Sequence, residues 1–423
     1  MEISIYTTPI TVLKMMKIEN VKYNAPKQQA FIAWAIATVI TSSLCIASWT
    51  YHIDQGIRVI SNAAYIISIP GWIPIYALGL SGVRDYPITI VIANGLAWLF
   101  WFMLIASILR VRSKLGTNEG SQTTQNQPDP GRRAFLGNAA LGVTSIGALA
   151  TPSYATLIEP WTIKVRKYTI PIKNLDSTFE GLKLVQLADT HLGPRIPESF
   201  IQQAVDLVIA QAPDLVLLTG DHIHDGTSEI DRAANLCKPF ALHATIGAIG
   251  VLGNHDWWGD GPRLTRALRH QGVHMIDNNR IWIDPKTRTI QSQDPGKGAL
   301  AIVGFGDLTD DYIDTDRAFR DIAEATPRIV LSHNPDSAEL SSVTKQGAPR
   351  IDLMCSGHTH GGQVKIPFLG TPIVPSRFGS KYAGGLVNGP AFPVHISRGI
   401  GMSMLPVRLG VPPEISVLTL TRA

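Results

Sequence analysis

From Leu182 onward, short apolar runs alternate with longer stretches whose apolar positions follow a helical period. Leu182–Ala188 (LKLVQLA), Asp214–Thr219 (DLVLLT) and Ile249–Leu252 have the length and composition of buried strands. Between them lie predicted helices over Glu198–Gln211, opened by Pro197 as a helix-start residue, and over 228–240 and 262–271. The same alternation continues with strands at 299–304, 328–332 and 351–355, and with helices near 315–325 and 335–345. Strands that are apolar along their whole length must be covered on both faces. The pattern therefore predicts an α/β layered domain over 151–423.

The first third of the chain is patterned differently. Residues 30–49 and 88–109 are almost uncharged and reach the ~20 residues that a helix needs to cross a bilayer core. Trp49, Tyr51 and Tyr86 near their ends suit the membrane interface. Residues 57–83 are also apolar, but Pro70, Gly71, Pro74 and Gly79 interrupt a helix, which favours an interfacial or re-entrant segment within a membrane region 1–112.

Charge orients these spans. Lys14, Lys17, Lys22 and Lys27 precede the first, and Arg110, Arg112, Lys114, Arg132 and Arg133 follow the second. The positive-inside rule puts both flanks in the cytoplasm. Residues 113–133 have the composition of a flexible basic loop. The small apolar stretch 134–150 follows Arg132-Arg133 and precedes the domain. It resembles a twin-arginine export signal, with Gly rather than Ser or Thr before the arginine pair and Gly rather than Lys after Phe135-Leu136. The other reading is a third transmembrane helix. Either carries the domain out of the cytoplasm of a bacterial inner membrane protein, whereas an additional span, or packing of 134–150 on the domain, leaves it inside. The net charge of +4 is small, and Cys45, Cys237 and Cys355 provide neither a disulfide framework nor metal-type spacing.

Chemistry concentrates where the predicted strands end. Five short clusters each follow an apolar run: Asp189-Thr190-His191, Gly220-Asp221, Gly253-Asn254-His255-Asp256, Ser332-His333 and Gly357-His358-Thr359-His360. Eleven of the twelve histidines lie after residue 150. Ligand sites in layered α/β domains sit beyond the carboxyl ends of strands, so this shared placement lets distant residues converge on one edge. A single Asp-x-His would carry little weight; five clusters in order, mixing carboxylate, amide and imidazole, supply what two adjacent divalent metals require.

The series resembles the calcineurin-like metallophosphoesterases, whose pattern is D-x-H, G-D, G-N-H-[DE], a lone His and G-H-x-H. Gly361-Gly362-Gln363, Ser397-Arg398-Gly399 and Arg408-Leu409-Gly410 are similar to the membrane-associated bacterial branch. The resemblance implies a sandwich of two mixed β-sheets flanked by helices. It implies a first metal on Asp189, His191 and His360, a bridging Asp221, and a second metal on Asn254, His333 and His358. Oxygen and imidazole donors without thiolate suit Mn²⁺, Fe or Zn²⁺ and do not choose among them. His255 is left over as a general acid on the leaving-group side, with Asp256 placed to orient its imidazole or to sit as a solvated loop carboxylate. In the loop after Asp221, His224 stands where the family commonly has Asp. His222 and His224 are read as loop residues, the alternative being supports behind the ligands or phosphate contacts, and Trp257 and Trp258 as packing rather than contacts to an apolar or aromatic part of a substrate.

The expected activity is hydrolysis of a phosphodiester or pyrophosphate bond at a membrane, with a lipid-linked substrate as one option. The rivals are an inactive metal-binding sensor or scaffold and a nuclease on the same fold. The intact ligand set opposes the first, and the absence of a basic run opposes the second, so no nucleic acid partner is expected.

Overall fold

The computed structural model describes residues 151–423, apart from Pro152, Met404 and Leu405. These residues belong to one compact unit of the chain, Asn138–Ala423. The expected spans at 30–49 and 88–109, the 57–83 segment, the 113–133 loop and the 134–150 stretch lie outside the described residues. Among the described residues no helix is long and apolar enough to cross a membrane.

Two mixed sheets form the domain. The first has the order β1 (Lys164–Ile172), β13 (Glu414–Arg422), β2 (Lys183–Leu187), β3 (Leu215–Thr219), β4 (Gly247–Val251), β5 (Val273–Met275). Within it β2 through β5 run parallel, and β13 joins antiparallel to β2. The second has the order β11 (Gly385–Asn388), β12 (Pro393–Ile396), β10 (Leu353–Ser356), β9 (Arg328–Leu331), β8 (Leu300–Gly304), β6 (Asn279–Ile283), β7 (Ile290–Gln291). Its centre, β12 to β8, is parallel, and both margins are antiparallel.

The continuous apolar runs are explained by burial on both faces. Leu184, Leu215, Leu217, Ile249 and Val251 of the first sheet meet Leu300, Ile302, Ile329, Leu331 and Leu353 of the second in a core between the sheets. Their neighbours Val185, Val216, Leu218 and Ala248 point the other way, onto Phe200, Ala204 and Val205 of α1 (Glu198–Ala210), Phe240 of α2 (Ile230–His243) and Leu264. The period-2 alternation of side chains thus serves two cores at once.

Two predicted helices shrink. The one near 315–325 is reduced to Thr315–Ala318, and the one near 335–345 becomes a 3₁₀ turn, Pro335–Glu339, followed by Ser341–Thr344. In the first case arginines on strands take the carbonyls a longer helix would use: Arg280 donates to Arg317 O, and Arg328 to Ile322 O and Ala323 O. In the second, the Asn334 side chain accepts from Asp336 N, and Leu340 adopts an extended conformation that separates the two pieces. Side-chain competition for backbone groups overrides helical propensity in both.

Candidate metal centre

All five clusters begin at the carboxyl ends of strands, but the edge belongs to two sheets. Asp189, Asp221 and Asn254 follow β2, β3 and β4 of the first sheet, whereas His333 and His358 follow β9 and β10 of the second. The chain reaches the site through tight, strained turns. Asp189, His191, Asp221, His358 and His360 all have left-handed backbones, with φ between 46° and 69°. Such conformations are costly for residues with a Cβ, and they concentrate where surrounding structure enforces them.

The motif glycines have a steric reason. A Cβ on Gly253 would come within 2.3 Å of Asp221 Oδ1, and one on Gly357 within 2.4 Å of Asp189 Oδ2. The space a methyl group would fill is occupied by the carboxylates themselves.

Asp189, His191, Asp221 and His360 each offer one ligand atom within 4.8 Å of the others, and so do Asp221, His333 and His358. The two groups share Asp221, whose Oδ2 lies 3.4 Å from His191 Nε2 and 3.2 Å from His333 Nε2. Asn254 Oδ1 stands 3.1 Å from His358 Nδ1, which puts the amide with the second group. The seven predicted ligand residues are therefore brought to one place, and a third group, His191, His224 and His255, adjoins the first.

The electrostatics fit cations. Asp189 is fully buried, its Oδ2 has no hydrogen-bond partner, and burial pushes its carboxyl up to about 7. Burial lowers the pKa values of His191 and His360, keeping them neutral and able to donate lone pairs. His333 also feels burial, but the adjacent Asp221 carboxylate outweighs it and raises its pKa. Conversely, burial would raise Asp221, yet the positive ring of His333 and nearby His255 hold it well below the carboxylate range. His333 Nδ1 donates to Thr219 O at 2.8 Å, which leaves Nε2 facing Asp221. A carbonyl on the far nitrogen is the usual means of orienting a histidine ligand. Buried oxygen and nitrogen donors with an orphaned carboxylate oxygen fit a dinuclear metal site.

His255 stands beside these groups with its ring 4.5 Å from that of His191. Its backbone N–H donates to Asp221 Oδ1 at 2.9 Å. Its Nδ1 donates to the carbonyl of His224, since a carbonyl can only accept; Nε2 is thereby the nitrogen left for proton exchange, 3.5 Å from Ser403 Oγ.

Asp256 does not orient His255, and it is not solvated. It is fully buried and accepts from the backbone N–H groups of His222, Ile223 and Gly253 at 2.8, 3.2 and 3.0 Å. Its Oδ2 also pairs with His222 Nδ1 at 2.9 Å. Burial lowers the His222 pKa, but Asp256 more than offsets this, and the net direction is up. Asp256 is thus a clamp between the loops that carry Asp221 and Asn254. Replacement by alanine is expected to destabilise the domain by about 3–5 kcal/mol, because several buried donors lose their acceptor. Denaturant unfolding measures this, and a loss under 1 kcal/mol would contradict the role.

Sequence reasoning set aside residues that the fold makes structural or local to the site. His222 is Asp256's partner, and His224 supplies the carbonyl for His255 while lying within ligand distance of His191 and His255. The unusual His at position 224 was the available signal. Arg408 is fully buried and donates to the carbonyls of Arg398, Gly399, Gly401 and Val411. It secures the turn whose Gly401 N–H donates to Asp189 O. Trp257 packs against the helical core as expected, but Trp258 is exposed with its ring 4.0 Å from that of His255.

Two mixed sheets with five ligand-bearing strand ends define a metallophosphoesterase, a hydrolase. The family model for calcineurin-like phosphoesterases matches residues 182–362. The chain is 30% identical over 292 residues to the metallophosphoesterase YkuE of Bacillus subtilis, covering 68% of this chain and 97% of that one. It is 32% identical over 296 residues to phosphodiesterase YaeI of Escherichia coli (68% and 98%) and 26% identical over 338 residues to the UDP-2,3-diacylglucosamine pyrophosphatase LpxG of Chlamydia muridarum (67% and 97%). This chain belongs to the calcineurin-like phosphoesterase family.

Proposed function

We propose that this protein is a membrane-tethered, dimetal-dependent phosphoesterase that hydrolyses a phosphodiester or pyrophosphate bond, with its catalytic domain 151–423 on the outer side of a bacterial inner membrane. The observation that carries the reading is the pair of donor groups sharing Asp221, with His255 beside the first of them, next to His191. Asp189, His191 and His360 would hold one ion, Asn254, His333 and His358 the other, and Asp221 both. Ions held there supply Lewis acidity toward the phosphoryl oxygens and the attacking water.

The chain's own residues do the rest. The buried carboxylates and neutral imidazoles set the charge of the site, and the strained strand-end turns keep the donors in place. His255, oriented by the His224 carbonyl, presents Nε2 to the leaving-group oxygen and delivers a proton as that bond breaks. The apolar segments 30–49 and 88–109 and the likeness to LpxG support a substrate with a lipid portion, since tethering confines the site near the bilayer.

The full chain, purified in detergent and stripped with a chelator, is expected to lose hydrolysis of a model phosphodiester and to regain it with Mn²⁺. Absence of turnover on any mono-, di- or pyrophosphate across Mn²⁺, Fe and Zn²⁺ would sink the enzymatic reading.

A further inference from the structure

The last metal motif runs directly into a projecting loop. Gln363 N donates to His360 O at 3.1 Å, and the chain then passes through Val364 and Lys365 to a turn closed by Ile366 N donating to Gly370 O at 2.8 Å. Phe368 at the tip is fully exposed, Leu369 is 77% exposed, and Pro367 between Ile366 and Phe368 is exposed too. Phe368 has φ 67°, a conformation that bulky residues avoid. The base of the loop is pinned close to the site. A Cβ on Gly362 would lie 2.2 Å from Ile373 O, so the returning segment packs directly on the turn that carries His360. An aromatic and an aliphatic residue held out in water by a fixed turn are not explained by the fold, whose cores are complete without them.

A second apolar patch lies at the start of the domain. Residues 153–157 form a helical turn there, with Tyr154, Leu157 and Ile158 exposed. Two consecutive residues connect the patches. Arg408 N donates to Ala155 O, while Leu409 N donates to Gln363 O and accepts through its own carbonyl from Lys365 N. The two patches therefore border one extended segment. Lys365, at the base of the turn, is exposed as well.

We infer that the Ile366–Gly370 loop, together with the Tyr154–Ile158 face, is a bilayer-contacting surface that inserts Phe368 and Leu369 among lipid headgroups beside the metal centre. The inference rests on the proposed tethering at a membrane. The occupant is argued from two features. The chain that precedes residue 151 carries the apolar stretches 30–49, 88–109 and 134–150, and the Tyr154–Ile158 face follows the last of them directly in sequence. The loop also combines its apolar tip with the exposed Lys365, the chemistry that suits the acyl boundary and anionic headgroups. Such a contact would orient the site toward substrates whose phosphate sits at the bilayer surface.

The test uses the full chain in vesicles containing anionic lipid, in a Cys45→Ser background, with Phe368→Cys carrying an environment-sensitive fluorophore. Cys237 and Cys355 are buried and do not compete for label. The fluorescence is expected to shift to the blue and to be quenched by lipids spin-labelled near the headgroup. Leu242→Cys, on α2 and 68% exposed, serves as a control expected to show neither. The double variant Phe368→Ser, Leu369→Ser should retain turnover of a water-soluble diester while losing on the order of tenfold on a lipid-embedded phosphate ester, through the lost effective concentration. A label at 368 that ignores lipid quenchers overturns the inference, as does one whose shift follows protein density, which would indicate a second copy. Loss of soluble-diester turnover in the parent chain would instead count against the enzymatic reading and leave the labelling result standing.

Discussion

Replacing Asp221 by alanine is expected to strip both ions and reduce turnover to background. Its Oδ2 lies within 3.4 Å of imidazoles from both donor groups, and its Oδ1 accepts the backbone N–H of His255. Removal leaves His333 without the charge that raises its pKa and leaves a buried N–H without an acceptor. Changes to groups that merely support a ligand cost roughly 10–100-fold in metal affinity, and loss of a shared ligand should exceed that. Metal content by elemental analysis, measured with turnover on the purified full chain, checks the prediction. Two ions per chain in Asp221→Ala would rule out the bridging assignment.

The His255→Ala variant is expected to separate binding from chemistry. Neither of the two donor groups that share Asp221 includes the His255 ring, so the variant should keep two ions. Turnover should fall by about 10²–10⁴, the usual worth of a positioned general acid. The loss should shrink for substrates whose leaving group needs no proton, such as an activated nitrophenyl ester, because an acid then has little to contribute. Equal metal loss in Asp221→Ala and His255→Ala would refute the division of roles, and equal rate loss on good and poor leaving groups would remove His255 as the acid.

The placement of Asp221 and His255 just past strand ends is legible in the sequence. Both sit in motifs whose side-chain types advertise their chemistry, and both were placed at strand ends from the apolar runs before them. Asp256 shows where sequence reading is weak. Adjacency to His255 suggested a partnership, but the helical turn beginning at Asn254 points the Asp256 carboxylate back to Gly253 and across to the loop after Asp221. His222 and His224 were set aside for the same reason. Their neighbours lie more than thirty positions away in sequence, and no local pattern encodes such contacts. The two shortened helices have a related cause, since the arginines that capture their carbonyls come from strands distant in sequence.

Sequence alone determined the class of fold, the kind of metal chemistry and the seven candidate ligands, because ligand type and strand burial are properties of short segments. The tertiary structure decided which of those ligands meet. Asp189 and His360 are 171 positions apart, yet His360 Nε2 lies 3.6 Å from Asp189 Oδ1. It also decided that Asp221 is shared, that Asp256 clamps rather than orients, and that Phe368 faces solvent beside the site. Each depends on how two separate sheets align their carboxyl ends. That alignment is set by the core between them, which no single segment specifies.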